Sequence, residues 1–530
     1  MLPARLYGRR EILRLGGSTL AGVMLAACGG GGLLAGDPKA PSQKERIGSL
    51  RIATDVLSPS LAVPAGLVYS CLVAFDPRRS RIHGDLARFV EIGDSLTVTC
   101  RLRDDLRFHP DSQNLAAALT SQDILHDFQE RAADREYLFA NVIERVEAPD
   151  IETLVLRLRA PFSLLFDYLS DPLSASVRSQ VRYGAVDARL GSGPYVPAVR
   201  DAAGVGLAAN PLFYRSREPL LEGLVVTDTP AGQDLDAAFV RGEFDIRIHP
   251  RDVQPGAAGT RPGATVSKRA SRRLRGLGLS LFPQKKGPAG GNVRFVAAFQ
   301  DVRVRRAIAL ALDQAAIAAL DDGILSGPVG PAHAGDALSE ADLLKHPLYQ
   351  RNLDEVRKLL DAAGKTELSF AIEGPNTTSM RAVAQLVDTQ LREAGFVPRV
   401  NLLPPTDWEP LFLAGDFEAA LFELDDLRTP DIGLRLHLTG GLTGNFSLWG
   451  YSDPVFDTAA RAVFTELEPE RRAEQSRKAQ RVLLDQVPAM FPLSAPPEYA
   501  SLAGQVRGYE FDAFEFNDGR LSSQWRVAEG

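Results

Sequence analysis

Strand-like and helix-like segments alternate in the second half of the chain, and no other feature restricts the fold as strongly. Leu368, Phe370 and Ile372 form one apolar face of a strand, which is followed by a helix over about 379–394 and a strand over 397–403. A further short helix and the strand "FEAALFEL" continue the series. The alternation predicts βαβ units, and therefore an α/β lobe whose sheet is partly parallel.

Capping residues predict where several helices begin. Side chains that can accept backbone N–H hydrogen bonds mark four predicted helix starts, at Thr120 with Asp123, at Asp301, at Asp354 and at Asp453. Thr120 and Asp123 have the spacing of a capping box. Pro454 follows Asp453 directly, and proline is favoured in the first turn of a helix. These starts divide the chain into short helices between strands.

The N-terminal stretch "GRREILRLGGSTLAGVMLAACGGGG" is organised as an export signal. Basic residues precede the apolar run Leu15–Ala27, which is too short to span a bilayer because a spanning helix needs about 20 apolar residues. Arg9 and Arg10 resemble a twin-arginine export motif, and "LAAC" resembles a lipobox that would place a lipid on Cys28. The alternatives are an ordinary signal peptide with a chance cysteine, or a buried helix. Gly29–Gly32 argues against the helix and suits a flexible tether.

The remainder of the 530-residue chain is longer than one hydrophobic core usually covers, so two or three lobes are expected. Apolar residues make up 45% and charged residues 24%, and no later run of about 20 apolar residues occurs, which predicts a globular, soluble mature protein. The formal charge is -7, and it becomes -10 when the leader is removed with its four arginines and one glutamate. Without a basic stripe, nucleic acid is not expected as a partner.

Two cysteines remain besides Cys28. Cys71 and Cys100 are compatible with one disulfide outside the cytoplasm. In "LTVTCRLR", however, four residues share one face of a strand: Leu96, Val98, Cys100 and Leu102. This pattern favours a small buried side chain at Cys100 over a disulfide.

No catalytic or metal motif is present in the sequence. The seven histidines are scattered without HxxH or HExxH spacing, and there is no GxSxG. "GSGPY" lacks the lysine and the helix that would make it a phosphate-binding loop, so it is interpreted as a structural turn. We therefore expect neither an enzyme nor a metal or other cofactor.

Six groups of motifs follow one another in a characteristic order. They are "LTVTCRLRDDLRFHP" with "LTSQDILHDF", "VEAPDIETLVLRLRAPF", "GSGPY" with "NPLFY", "AFVRGEFDI", "FQDVRVRRAIALALD", and "GYSDPVFDTAARAVFTELEPERRAEQSRKAQRVLLDQVPAMFPL". Over most of residues 47–520 the chain resembles the family 5 extracellular solute-binding proteins of bacterial ABC importers, the dipeptide, oligopeptide and nickel-binding group. The loop "FHPDSQNLAAALTSQD" departs from the family pattern because it is longer than the usual "FHDG" connection.

The resemblance implies a two-lobe α/β fold of the periplasmic-binding-protein type (type II, large peptide-binding cluster), with hinge strands and an inserted subdomain. The implied parts are a signal peptide with lipobox (1–27), a lipidated cysteine and tether (28–46), lobe I (47–70, 176–272 and 490–530), a subdomain inserted in lobe I (71–175), and lobe II (273–489). Ligand would be captured as the lobes close, and the closed form presented to a permease. A monomer is expected.

The resemblance also implies a ligand site in "ELDDLRTP". Asp426 stands where peptide-binding relatives have an aspartate that pairs with the amino terminus of the ligand, and Pro430 matches the proline of that motif. Glu423 replaces the tryptophan of the motif, and Asp425 adds a further charge, which would favour a cationic ligand. The alternatives are that Asp426 caps a turn and that the acids form a solvated loop. Trp449 would line the pocket or belong to the core.

Two functional hypotheses follow. The first is an exported, membrane-anchored lipoprotein, facing the periplasm or cell exterior, that captures a peptide or similar amine-bearing solute for an ABC permease in the cytoplasmic membrane. The second keeps the fold for another purpose, either as an envelope sensor, chaperone or interaction lipoprotein, or as a binder of a non-peptide solute.

Overall fold

The computed structural model describes most of the chain in fourteen segments. They are residues 22–23, 46–54, 64–76, 81–183, 188–201, 204–215, 217–228, 234–249, 261–282, 294–365, 367–424, 429–440, 448–509 and 521–528. The chain divides into two compact units: unit 1 comprises Met1–Arg269 with Glu498–Gly530, and unit 2 comprises Ala270–Pro497. These bounds lie a few residues outside the predicted lobe II.

Unit 1 is built on a seven-stranded mixed sheet. In spatial order its strands are Thr265–Ala270, Pro497–Leu502, Ile246–Ile248, Ser49–Thr54, Gly223–Asp228, Gly204–Ala209 and Tyr195–Asp201. The Ser49–Thr54 strand is parallel to both of its neighbours. The Gly204–Ala209 strand is antiparallel to both of its own, and Ile246–Ile248 is antiparallel to Pro497–Leu502. Burial of its apolar side chains, among them Leu50 and Ile52, forms the core of this unit.

Three smaller sheets complete the described strands of unit 1. An antiparallel sheet of Ala87–Asp94, Thr97–Leu102, Thr153–Leu158 and Ile143–Glu147 lies within the predicted subdomain, whose separateness stays a prediction. The others are Gly22–Val23 with Arg81–Gly84 and Val73–Asp76, and Val506–Arg507 with Arg526–Val527. The helices are Ala65–Val68, Ser121–Ala133, Leu138–Val142 (a π-helix), Leu165–Leu169, Pro172–Ala175, Leu235–Val240 and the 3-10 turn Ser522–Gln524.

Unit 2 contains a six-stranded mixed sheet. Its strands are Ile324–Leu325, Met490–Ala495, Leu274–Leu279, Ala419–Leu424, Leu368–Pro375 and Phe396–Leu403. The last three strands are parallel to one another and alternate with helices along the chain, so the predicted βαβ units are confirmed. The predicted apolar face is also confirmed, because Leu368, Phe370 and Ile372 are buried.

Helices cover the faces of this sheet. They are Val302–Ala311, Gln314–Ala319, Glu340–Lys345, Leu353–Ala362, Thr378–Glu393, Pro405–Ala414, Pro430–Arg435, Pro454–Thr465 and Pro469–Asp485, with 3-10 turns at Ala297–Gln300, Pro331–His333 and Pro347–Tyr349. The capping predictions hold at Thr120, Asp301 and Asp453. The prediction at Asp354 is wrong by two residues: Asn352 accepts the backbone N–H of Glu355, and Asp354 lies in the first turn.

The strand that contains Cys100 also differs from its prediction at one end. Val98, Cys100 and Leu102 are buried as expected, but Leu96 lies in a turn and is exposed. The turn forms because the Asp94 carboxylate accepts the backbone N–H of Leu96, so the strand begins only at Thr97. Cys71 and Cys100 are both buried free thiols, which is the alternative that the strand pattern favoured.

Candidate functional site

The predicted ligand-binding stretch starts at the end of the Ala419–Leu424 strand. Glu423 is the penultimate residue of this strand. Asp425 and Asp426 lie outside the described residues, and the chain is described again just before the Pro430–Arg435 helix. The structure therefore defines the two flanks of the stretch.

The carboxylate of Glu423 is held by two arginines of unit 2. Its Oε1 accepts a hydrogen bond from Arg273 Nη1 at 2.7 Å, and its Oε2 accepts one from Arg275 Nη2 at 3.2 Å. Arg275 Nη1 donates in turn to Asp321 Oδ2 at 2.7 Å. We call these four residues the arginine–carboxylate row.

The row determines the charge state of Glu423. Burial opposes ionisation, but attraction to Arg273 and then to Arg275 outweighs burial and lowers the pKa of Glu423 below its usual value. Within the row, two guanidinium groups pair with two carboxylates, and Glu423 is hydrogen-bonded to both arginines. That Glu423 favours a cationic ligand stays a prediction.

The far flank is the Pro430–Arg435 helix, which is packed tightly against unit 2. Asp431 and Arg435 form a buried ion pair at 3.5 Å. A Cβ atom at Gly433 would lie 2.1 Å from the carbonyl oxygen of Pro328, so no larger residue fits without a backbone shift. The helix that follows the predicted ligand-binding stretch is therefore held in place by packing within unit 2.

Trp449 lies in the core of unit 2. Its side chain is fully buried, and its ring centroid is 5.1 Å from that of Phe422. A Cβ atom at Gly278 would come within 2.0 Å of the indole, so this glycine makes room for the ring on the Leu274–Leu279 strand. The structure supports the core alternative for Trp449 and not the prediction that it lines a ligand pocket.

Unit 1 contains a polar cavity that the sequence did not indicate. The cavity has a volume of about 40 Å³, enough for a few water-sized molecules, and Ser70, Cys71, Asp85, Tyr214 and Arg215 are among its lining residues. Tyr214 Oη donates to Asp85 Oδ1 at 2.5 Å, the backbone N–H of Cys71 donates to Asp85 Oδ2 at 3.0 Å, and Arg215 forms an ion pair with the same carboxylate.

The charge of this cavity is also compensated within the unit. Burial opposes ionisation of Asp85, but attraction to Arg215 and the hydrogen bond from Tyr214 outweigh it and lower the pKa of Asp85. Tyr214 belongs to the motif "NPLFY", but nothing in the spacing of that motif points to Asp85. The cavity suits a small neutral molecule such as water.

The structure explains why "GSGPY" accompanies "FHP". His109 Nε2 contacts the carbonyl oxygen of Gly193 at 2.9 Å, and its Nδ1 contacts Tyr183 Oη at 2.5 Å. Tyr183 Oη accepts the backbone N–H of Gly191 at 2.9 Å. A Cβ atom at Gly193 would lie 2.5 Å from the carbonyl carbon of Val68. The turn is thus a structural element, as the sequence predicted.

Neither a metal centre nor a membrane span is found in the described segments. There, no group of three or more His, Cys, Asp or Glu side chains could hold a metal ion. The helices of those segments are too short or too polar to cross a membrane. Arg9, Arg10 and Cys28 lie outside the described residues, so the export and lipidation predictions stay predictions.

Two compact α/β units, with the chain passing between them near residues 270 and 497, are typical of the solute-binding proteins of ABC importers. Residues 81–439 match the family model described as bacterial extracellular solute-binding proteins, family 5 middle. The chain belongs to this family. Its members bind substrates for transporters outside the cytoplasm and are not enzymes.

Known proteins match over most of the chain. A dipeptide-binding protein of Pseudomonas aeruginosa is 21% identical over 492 residues, which are 85% of this chain and 88% of that protein. The ABC transporter-associated periplasmic binding protein DppA from Helicobacter pylori, solved with the peptide STSA, has a TM-score of 0.71 at 18% identity and covers 92% of this chain and 99% of its own.

A third match carries a different ligand. NikZ from Campylobacter jejuni, solved in complex with Ni(L-His), has a TM-score of 0.69 at 18% identity and covers 90% of this chain and 99% of its own. At such identities the two solved structures establish the fold, and they confirm the predicted two-lobe α/β class.

Proposed function

We propose that this chain captures a peptide or similar amine-bearing solute outside the cytoplasm and delivers it to an ABC permease. The observation that carries the proposal is the family match together with a curated relative that is a dipeptide-binding protein and aligns over 85% of the chain. Binding would be coupled to closure of the two units, since a ligand shifts such an equilibrium only by its higher affinity for the closed state.

Asp426 is the residue that we assign to the ligand amine. It matches the aspartate of the peptide-binding motif, and the described flanks on either side are held by the arginine–carboxylate row and by the tightly packed Pro430–Arg435 helix. Because Glu423 is already neutralised by arginines, its carboxylate would not compete with Asp426 for the ammonium group. The proposed salt bridge to the ligand therefore uses Asp426, with Asp425 beside it adding negative charge.

The experiment compares wild type and Asp426→Asn with a dipeptide panel by isothermal titration calorimetry. Losing one partner of a buried ion pair costs about 3–5 kcal/mol, so affinity should fall on the order of a few hundredfold. N-acetylation of the dipeptide should weaken binding to wild type by a similar factor and have little further effect on Asp426→Asn.

Asp313→Ala provides the control for loss of a cap. Asp313 caps the Gln314–Ala319 helix by accepting the backbone N–H of Ala316 at 2.9 Å, so its replacement by alanine should lower stability by about 1 kcal/mol without weakening binding. If Asp426→Asn behaves like this control, Asp426 is a turn cap and the assignment of the ligand amine is wrong.

We further propose that Cys28 carries a lipid and that Arg9 and Arg10 direct export. Metabolic labelling with a tagged fatty acid should mark the wild-type protein but not Cys28→Ala. Replacement of both arginines by lysine should leave the precursor in the cytoplasm. An unlabelled wild-type protein that is fully released from membranes would refute the anchor.

A further inference from the structure

Two members of the arginine–carboxylate row, Arg275 and Glu423, lie on adjacent strands of the unit 2 sheet, while Arg273 directly precedes the first strand and Asp321 lies in a turn. On the central Leu274–Leu279 strand, Arg275 is paired with Glu423 on one side and with Ser494 on the other. Directly paired residues of antiparallel strands project from the same face of a sheet. Arg275 and Glu423 are therefore brought together by strand register, although 148 positions separate them in the sequence.

Burial is unequal along the row. The side chains of Arg273 and Arg275 are 2% and 0% exposed, whereas those of Glu423 and Asp321 are 18% and 12% exposed. The guanidinium groups are thus the more deeply buried members of the row, and the carboxylates lie nearer to solvent. This arrangement is that of a binding site for a carboxylate, with two arginines as its donors.

Glu423 occupies this site from within the chain. Each of its two oxygens accepts a hydrogen bond from a different arginine, so one carboxylate engages both guanidinium groups. Because a buried guanidinium that loses its counter-ion is strongly destabilising, Glu423 cannot turn toward an external cation without a large loss of stability. An external carboxylate could enter only by displacing it.

We infer that Glu423 is a specificity-determining residue: it fills a two-arginine carboxylate site and so keeps both ligand carboxylates and ligand ammonium groups from binding there. The consequence for ligand choice rests on the proposed function, because it concerns the solute that the protein captures. The occupied anion site itself does not, and it can be tested without any transported solute.

The test is chemical rescue of Glu423→Ala by acetate, which has the size of the removed CH2–COO group. At pH 7.5 the variant should melt roughly 6–10 °C below wild type, since a buried ion pair has lost one partner. Sodium acetate should raise its Tm saturably, by roughly 3–6 °C at ten times Kd, relative to sodium chloride of equal ionic strength. Wild type should show no such difference between the two salts.

Two further variants control for general effects. Glu373→Ala removes another buried carboxylate of the same sheet, but its partner Arg294 is 42% exposed and keeps Asp416 at 3.2 Å, so acetate should not rescue it. Arg273→Met combined with Glu423→Ala leaves Arg275 balanced by Asp321. This double variant should be more stable than Glu423→Ala alone and insensitive to acetate.

The outcomes separate the two proposals. Equal acetate responses in Glu423→Ala, Glu373→Ala and wild type would overturn the anion site, as would a wild-type Tm for Glu423→Ala. If Glu423→Ala does not fold in chloride, recovery of soluble protein on refolding in acetate supports the site, and equal failure in both salts contradicts it. Absence of dipeptide binding to wild type would refute the proposed function but leave these results unchanged.

Discussion

Unit 1 and unit 2 each bury an acidic side chain beside arginine, but they compensate its charge in different ways. Asp85 of unit 1 receives one ion pair from Arg215 and neutral hydrogen bonds from Tyr214 and the Cys71 backbone, next to a small cavity. Glu423 of unit 2 is held by two arginines within a row of four charges. Because Asp85 also has neutral donors, we expect unit 1 to lose little stability when one of its hydrogen-bond donors is removed. In unit 2 we expect the loss of any residue of the arginine–carboxylate row to be strongly destabilising.

The largest effect is therefore expected from Arg275→Met. It leaves Glu423 with Arg273 in the row and removes the Arg275 guanidinium from Asp321. The free energy of unfolding should decrease by about 3–5 kcal/mol, as for other broken buried pairs. Urea unfolding monitored by circular dichroism measures this decrease. If Arg215→Met in unit 1 lowers the free energy of unfolding by more than Arg275→Met does, the proposed difference between the two units is wrong.

Acid should destabilise both units through buried histidines. Burial lowers the pKa of His109 in unit 1 to about 4, although its bond to Gly193 opposes this, and burial lowers the pKa of His437 in unit 2 to about 3. Because both values lie below the unfolded value of about 6.5, protons bind preferentially to the unfolded chain as pH falls below that value. The contribution of the neutral histidines to stability is fully present above pH 6.5. The free energy of unfolding should fall by about 2 kcal/mol per histidine by pH 5.

The two histidines differ in their hydrogen bonds, which makes this prediction specific. His109 has two partners, whereas neither ring nitrogen of His437 has a hydrogen-bond partner in the part of the chain that the structure describes. His437→Leu does not cost a hydrogen bond. Between pH 6.5 and 5, the free energy of unfolding of this variant should therefore decrease by about 2 kcal/mol less than that of wild type. Urea unfolding at both pH values measures the difference, and an unchanged pH slope would contradict it.

The smallest effect is expected from Tyr214→Phe. The change removes the Tyr214 hydrogen bonds to the Asp85 carboxylate and to Ser70 Oγ, while Arg215 and the Cys71 backbone keep theirs to Asp85, so about 1–2 kcal/mol should be lost. A water molecule in the adjacent cavity would reduce the loss further. A loss as large as that of Arg275→Met would show that unit 1 is no more tolerant than unit 2.

The regular elements could be predicted because their signals are local. The period of two that places Leu368, Phe370 and Ile372 inside, and the capping oxygens of Asp301 and Asp453, require only neighbouring residues. One cap was misplaced because both Asn352 and Asp354 can accept the required hydrogen bond, and only the backbone conformation decides between them.

The chemistry of the site was less accessible to sequence reasoning. Glu423 was identified from its position in a motif, but its arginine partners come from a strand far away in the sequence, and pairing register cannot be deduced from one chain. A signal was present in "SRRLR", whose arginines precede and enter an apolar strand and therefore need buried counter-charges. Asp85 carried no comparable signal.

The burial of Trp449 has a spectroscopic consequence. All three tryptophans of the chain are buried, Trp525 in unit 1 and Trp408 and Trp449 in unit 2. Indole rings shielded from water emit at shorter wavelengths than hydrated rings, so the folded protein should fluoresce in the blue-shifted range. Replacing Trp525 by phenylalanine leaves emission from unit 2 alone, and the double replacement of Trp408 and Trp449 leaves emission from unit 1. The chain thus contains its own optical reporters for following the loss of each unit separately.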